Sequence, residues 1–183
     1  MKKIHAPLTR EEAKDLVCGE SVLISGTIYT ARDAAHKRLC EMLARGEEMP
    51  FELKDSVIYY AGPAPAGPGR VIGSVGPTTS YRMDAYAPEL IRMGNTGMIG
   101  KGRRGVAVVA AMKECGAVYF GAIGGCGALL SRCVTSAEVV AFPDLGTEAV
   151  RRLTVVDFPA VVVIDAEGED LYEKGRAEAL ARL

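Results

Sequence analysis

Apolar residues recur along this chain with two alternating periods. Ser21–Tyr29 is apolar, rich in β-branched side chains and bounded by Gly19, which predicts a strand. Ala31–Arg45 follows at the helical period: Ala31, Ala34, Ala35, Leu39, Met42 and Leu43 share one face, and Gly46 stops the helix. Upstream, Thr9 followed three residues later by Glu12 is the capping-box start of a short helix. Downstream, Val57–Tyr60, Val71–Val75, Ala117–Phe120, Ala137–Phe142 and Ala160–Asp165 predict strands, the last two buried. Ala85–Met93, Gly105–Glu114, Ala128–Arg132 and the charged Glu169–Leu183 predict helices, with Gly94 and Gly116 as stops. Ala61–Gly69 holds three prolines and three glycines, a constrained turn rather than a linker. Strands and helices interleave without a repeat, so one α/β domain is expected over 1–183.

Composition narrows the function. The 183 residues are 49% hydrophobic and 25% charged, which suits a folded core and excludes a disordered or rod-like chain. Lys+Arg at 22 against Asp+Glu at 23 gives a charge of −1, so no global field draws the protein to nucleic acid or an anionic membrane. Any anion must be held by a local cluster. No apolar run approaches the roughly 18–20 residues of a membrane span, and no signal-peptide apolar region follows Met1. The five cysteines (Cys18, Cys40, Cys115, Cys126 and Cys133) form no CxxC pair and have apolar or small flanks. Reduced thiols in a cytoplasmic protein are expected, with no metal site on this chain; Cys126 and Cys133 are the best remaining ligand pair.

Charge meets glycine or a helix start in three places. In the first, Thr30 predicts an N-cap with Asp33 completing the box, so Arg32 falls in the first helical turn, where free N–H groups favour an anion. His36, one turn on, would face the same ligand; a solvated basic face is the alternative. In the second, Gly76–Ser80 leads into Arg82, Met83 and Asp84. Thr78 would present its hydroxyl to a ligand, Arg82 would supply charge, and Asp84 would orient Arg82; helix capping by the hydroxyls is the alternative. A threonine needs an acceptor for its proton, and none is evident nearby in the sequence. The third is Lys101 between Gly100 and Gly102, a cation on backbone free to approach a ligand. It is not a P-loop, since Asn95 and Gly102 occupy positions that require Gly and Ser or Thr. Gly121–Gly127 likewise fails the dinucleotide-binding spacing and predicts close packing.

Taken together, these segments in this order and spacing resemble a known family. Gly26-Thr27 with Arg32, Asp33 and His36, Gly76–Ser80 with Arg82–Asp84, Gly100–Gly102, and the later Phe142–Gly146 and Phe158–Asp165 carry the likeness. They are similar to the beta subunit, equivalently the C-terminal domain, of class I iron–sulfur fumarate hydratases and L-tartrate dehydratases. The resemblance implies a swivelling β/β/α three-layer domain with a mixed sheet that works only with an alpha subunit. That partner would hold a four-iron four-sulfur cluster through three cysteines and lend an aspartate to the threonine. Residue by residue, Thr78 matches the base that exchanges the C3 proton, and Arg32, Arg82 and Lys101 match the residues that grip the substrate carboxylates. His36 matches an acid–base or orienting residue. Tyr81 departs from the pattern, since many single-chain members carry Gly there, and leaves substrate choice open.

The implied activity is reversible hydration of fumarate to L-malate, with three cations offsetting a diacid and the charge that develops on its carbanion. Dehydration of L-tartrate to oxaloacetate is the alternative within the same class. A non-catalytic dicarboxylate-binding module is the reading from another class, and a structural subunit without site residues is the third. A hetero-oligomer with the alpha subunit is expected, and a homodimer when the chain is isolated.

Overall fold

The computed structural model describes residues 1–182. Seven strands form one mixed sheet: β1 (Lys2–Ala6), β2 (Ser21–Thr30), β3 (Val57–Tyr59), β4 (Gly97–Gly100), β5 (Val118–Gly121), β6 (Val134–Ala141) and β7 (Val150–Ile164). The order is β1-β2-β3-β4-β5-β7-β6. From β1 to β5 every pairing is parallel, whereas β7 runs antiparallel to β5, β6 and β2. Helices α1 (Arg10–Lys14), α2 (Asp33–Ala44), α3 (Ala87–Arg92), α4 (Val106–Cys115), α5 (Gly127–Leu130) and α6 (Leu171–Leu180) connect and close the strands.

The expected α/β class with a mixed sheet is what forms, but the layers are not those of a strict three-layer sandwich. The 15-residue β7 reaches β2 with residues 151–161 and β5 with residues 161–164. A strand long enough to pair with both edges closes β2, β3, β4, β5 and β7 into a five-stranded barrel.

The period-2 alternation of the strands sorts side chains into two cores. Val57, Tyr59, Ile99, Val118 and Phe120 join Ile24 and Ile28 of β2 and Leu153, Val155 and Phe158 of β7 in one buried cluster, the barrel filling. Their alternates Ile58, Tyr60, Met98 and Tyr119 face outward and are covered by Leu39 of α2, Leu90 and Ile91 of α3, and Val108 and Met112 of α4. Burying each such side chain contributes about 1.5–3 kcal/mol. Parallel β2–β5 also put four strand ends, at Thr30, Tyr59, Gly100 and Gly121, on one rim. That carboxyl-end rim is where open α/β sheets bind ligands.

Several elements differ from the sequence expectation. The Thr9–Glu12 capping box forms as expected: Glu12 N–H donates to Thr9 Oγ1 (3.2 Å) and Thr9 N–H to Glu12 Oε2 (2.9 Å). Gly116 ends α4 in the left-handed conformation. Val71–Val75 is not a strand; the segment folds back on the proline loop, with Ala64 N–H donating to Ser74 O (2.9 Å). Strand β6 is largely exposed rather than buried, because it pairs on one side only and lies outside the barrel. Strands β1 and β4 and the first half of β7 carry no apolar run long enough to announce them.

Candidate active site

Helix α2 starts without a cap of its own. Arg32, not Thr30, is the N-cap residue, and its side chain makes no capping bond. Thr30 is buried at the end of β2, where its hydroxyl accepts from Arg151 N–H (3.2 Å). The cap is supplied from far along the chain: Glu148 Oε2 accepts from Ala34 N–H (3.1 Å), while Oε1 lies 3.7 Å from Arg32 Nη2. One carboxylate therefore satisfies a free helical N–H and holds the arginine. Arg32 extends across Gly62, where a Cβ would come within 2.8 Å of Nη1, and its Nε is buried without a partner among the described residues.

His36 lies in the core. Its ring meets the Tyr60 ring edge-on at 5.2 Å, and Nδ1 is 2.9 Å from Arg32 O. Burial lowers its pKa to about 4; the bond to the Arg32 carbonyl opposes the shift, and the Arg104 charge adds to it. The ring is neutral near pH 7, so Nδ1 carries the proton it donates, and Nε2 is a buried lone pair without a partner among the described residues. Arg32 and His36 thus do not face outward side by side; the histidine lies beneath, fastened to the arginine's backbone.

Thr78, Arg82 and Lys101 come together through their main chains. Thr78 N–H donates to Tyr60 O (2.7 Å) at the end of β3, and its half-buried hydroxyl makes no hydrogen bond among the described residues. Ser80 N–H donates to Lys101 O (2.9 Å), and Lys101 N–H to Ser80 Oγ (3.1 Å), which zips the Thr78 loop to the Lys101 loop. The Lys101 side chain is exposed and runs beside Gly124, where a Cβ would lie 3.5 Å from Nζ. Arg82 pairs with Asp33, the residue after Arg32. The arginines at 32 and 82 are therefore on the same side of the molecule, each facing a carboxylate, Glu148 for Arg32 and Asp33 for Arg82.

Asp84 does not orient Arg82. Its Oδ1 accepts from Arg104 Nε (2.8 Å) and its Oδ2 from Gly105 N–H (2.5 Å) at the start of α4. Arg104 is the residue that sequence reasoning missed. Its guanidinium lies 5.1 Å from the centroids of both the Tyr60 and Tyr119 rings, with its side chain fully buried. The signal was present in Lys101-Gly102-Arg103-Arg104, a second basic pair directly after the lysine. Glu148 had no local signal, since its partners lie more than a hundred residues away.

The iron–sulfur cluster does not fit this chain's own donors. Among the described residues no three His, Cys, Asp or Glu side chains converge as a metal group, and all five cysteines are free. Burial pushes the thiols of Cys18 and Cys133 up, and that of Cys40 to about 12, away from the thiolate form that ligation needs.

Comparison with known proteins follows the same outline. The sequence family described as Fumarase C-terminus matches residues 2–175. The chain belongs to that family. It is 41% identical over 167 residues to Fumarate hydratase 2 of Leishmania major, covering 90% of this chain and 29% of that protein. It is 42% identical over 153 residues to the aerobic class I fumarate hydratase of Escherichia coli (strain K12), covering 82% and 28%. The chain thus spans under a third of the length of these fumarase relatives. A Methanocaldococcus jannaschii protein named "Putative L(+)-tartrate dehydratase subunit beta" is 40% identical over 182 residues, covering 96% of this chain and 93% of that one. The relatives of this chain thus include long fumarate hydratases and a protein of similar length whose name is that of a beta subunit.

Proposed function

We propose that this chain is the beta subunit of a hydro-lyase that hydrates fumarate reversibly to L-malate, in a single domain over 1–183 that swivels against an alpha subunit. One observation carries the reading: Arg32, Thr78, Arg82 and Lys101 follow the ends of three adjacent parallel strands, on one rim, in a chain of the fumarase C-terminal family. Arg32, Arg82 and Lys101 would grip the two carboxylates of the diacid. Each charge-assisted bond is worth roughly 1.5–3 kcal/mol. Asp33 and Glu148 hold Arg82 and Arg32 in orientation until substrate carboxylates compete for them.

The Thr78 hydroxyl would exchange the C3 proton. Its main-chain bond to Tyr60 fixes the residue and leaves the hydroxyl free, and its proton acceptor, an aspartate, would come from the alpha subunit. His36 acts by orienting, because a buried neutral ring tied to Arg32 O sets the backbone from which the arginine extends. The four-iron four-sulfur cluster belongs to the alpha subunit in this reading. The resulting enzyme is a hetero-oligomer of the cytoplasm, a compartment where five free thiols persist.

L-tartrate is the second substrate to test, because the relative matched over 93% of its length carries that name. Anaerobic co-purification with the alpha subunit, followed by malate and tartrate dehydration assays, separates the two. Calorimetric titration of fumarate into the chain alone tests the binding-module alternative. Negligible binding alone and turnover in the complex are expected; micromolar binding with no turnover in the complex would overturn the enzyme reading.

A further inference from the structure

We infer that Arg104 is a positioning residue, a buried cation that holds Thr78, Arg82 and Lys101 in one geometry without touching substrate. The inference rests on the reading of those three residues as the substrate-facing set.

Arg104 lies between the three pieces of backbone that carry them. Its Nε bonds to Asp84, the residue that closes the 3-10 turn Ser80–Met83 on which Arg82 sits. The guanidinium lies 5.1 Å from the ring centroid of Tyr60, whose carbonyl accepts from Thr78 N–H (2.7 Å). It is equally near the ring of Tyr119 of β5, whose hydroxyl is 2.9 Å from Ser80 Oγ and donates to Gly102 O (2.9 Å). Ser80 Oγ in turn accepts from Lys101 N–H (3.1 Å). A single side chain thus reaches the Thr78 loop through Tyr60, the Arg82 turn through Asp84, and the Lys101 loop through Tyr119.

The chemistry suits a fixed support. The Arg104 side chain has no exposed surface, so no ligand reaches it without local opening. A guanidinium stacks between aromatic rings and bonds a carboxylate in its own plane, which an ammonium cannot do with the same geometry. Close packing leaves no slack around the network: a Cβ at Gly100 would collide with Ser80 Oγ, and one at Gly105 would lie 3.0 Å from Asp84 Oδ2. Nη2 is buried without a partner among the described residues, a cost tolerated where the charge anchors several elements at once. A small displacement of groups that must meet one substrate can cost about a hundredfold in rate.

The test uses hydrogen exchange of the full chain, read by mass spectrometry, together with kinetics of the complex with its alpha subunit. Arg104→Lys is expected to keep the fold and to accelerate exchange of the Ser80 and Lys101 amides about tenfold, while the β2 and β7 amides of the barrel keep their protection. In the complex, kcat should fall about tenfold or more with KM changed by less than about threefold. Tyr119→Phe keeps the ring against Arg104 but removes the hydroxyl, and should loosen Ser80 and the Lys101 loop, which that hydroxyl joins, while the Arg104–Asp84 bond stays. It serves also if Arg104→Lys fails to fold. Exchange that is unchanged in both variants, or accelerated evenly over the whole molecule, overturns the positioning role. So does a wild-type complex active on malate whose kcat is untouched by both substitutions. A wild-type complex inactive on every diacid, with the local loosening present, would sink the hydro-lyase reading and leave the positioning role standing.

Discussion

Arg104–Asp84 and Arg82–Asp33 are chemically the same pair in two settings. In the first, the arginine side chain is fully buried and the aspartate 19% exposed; in the second the values are 43% and 28%. The buried pair is surrounded by two tyrosines and a helix start, and nothing can take the place of either partner. The outer pair meets solvent, so its attraction is screened and is worth about 0–1 kcal/mol. In the proposed reading a substrate carboxylate would displace Asp33 from Arg82 at little cost. Burial thus separates a charge fixed inside the rim from one left open to exchange its partner.

Breaking each pair at its acid should expose this difference most clearly. Asp84→Ala strands a buried guanidinium and should lower stability by about 3–5 kcal/mol, whereas Asp33→Ala should stay within about 1 kcal/mol. Urea unfolding of the two variants measures both; equal losses would erase the distinction. Next comes the outer arginine itself. Arg82→Ala should cut kcat/KM of the reconstituted complex about ten- to a hundredfold, with the urea midpoint of the chain nearly unmoved.

A third test uses protons. His36 is surrounded by Tyr60 just after β3, Tyr86 before α3, Arg104 before α4 and Asp33 of its own helix. Its folded pKa of about 4 lies below the ordinary 6.5, so the unfolded chain takes up the proton first as pH falls. The stabilisation is complete above about pH 6.5 and is lost progressively down to about pH 4, with a drop of about 2 kcal/mol between pH 7.5 and 5. Urea midpoints across that window should fall in the wild type and lose most of that slope in His36→Gln. The smallest effect is expected at Glu148→Ala, which removes the borrowed cap of α2. It should cost about 1 kcal/mol, while Glu148→Gln, which keeps an acceptor oxygen, should recover most of the loss in thermal unfolding.

What could be read from the sequence was local. The Thr9–Glu12 box, the αL stop at Gly116 and the apolar strand at Ser21 are set by neighbours within a few residues, and all three form. Strand β4 escaped because Gly97 reads as loop, yet glycine is required there: a Cβ would come within 2.8 Å of Val57 Cγ2. Strand β1 escaped because Lys2 and Lys3 are polar, as suits the edge strand it forms. Arg32, Arg82 and Lys101 stand out in the sequence as charges beside glycine or a helix start, but the partners of the two arginines do not. Asp84 is nearest to Arg82 in sequence, yet Arg104 takes it, because Arg104 is buried and needs a carboxylate where Arg82 can use solvent. The cap of Arg32 comes from Glu148 for the same kind of reason, across the closed sheet rather than along the helix.

The closing of the sheet has a kinetic consequence. Strand β2 ends at Thr30, but its partner β7 begins at Val150, so the ring cannot shut until the last fifth of the chain is available. Pairings of such long sequence separation form slowly, since the loop between them must first be ordered. During synthesis the four rim loops would hang from an open ribbon, and only the arrival of β7 would draw them into register. A polypeptide truncated before residue 150 should therefore hold Arg32, Arg82 and Lys101 and still lack the closed rim that aligns them.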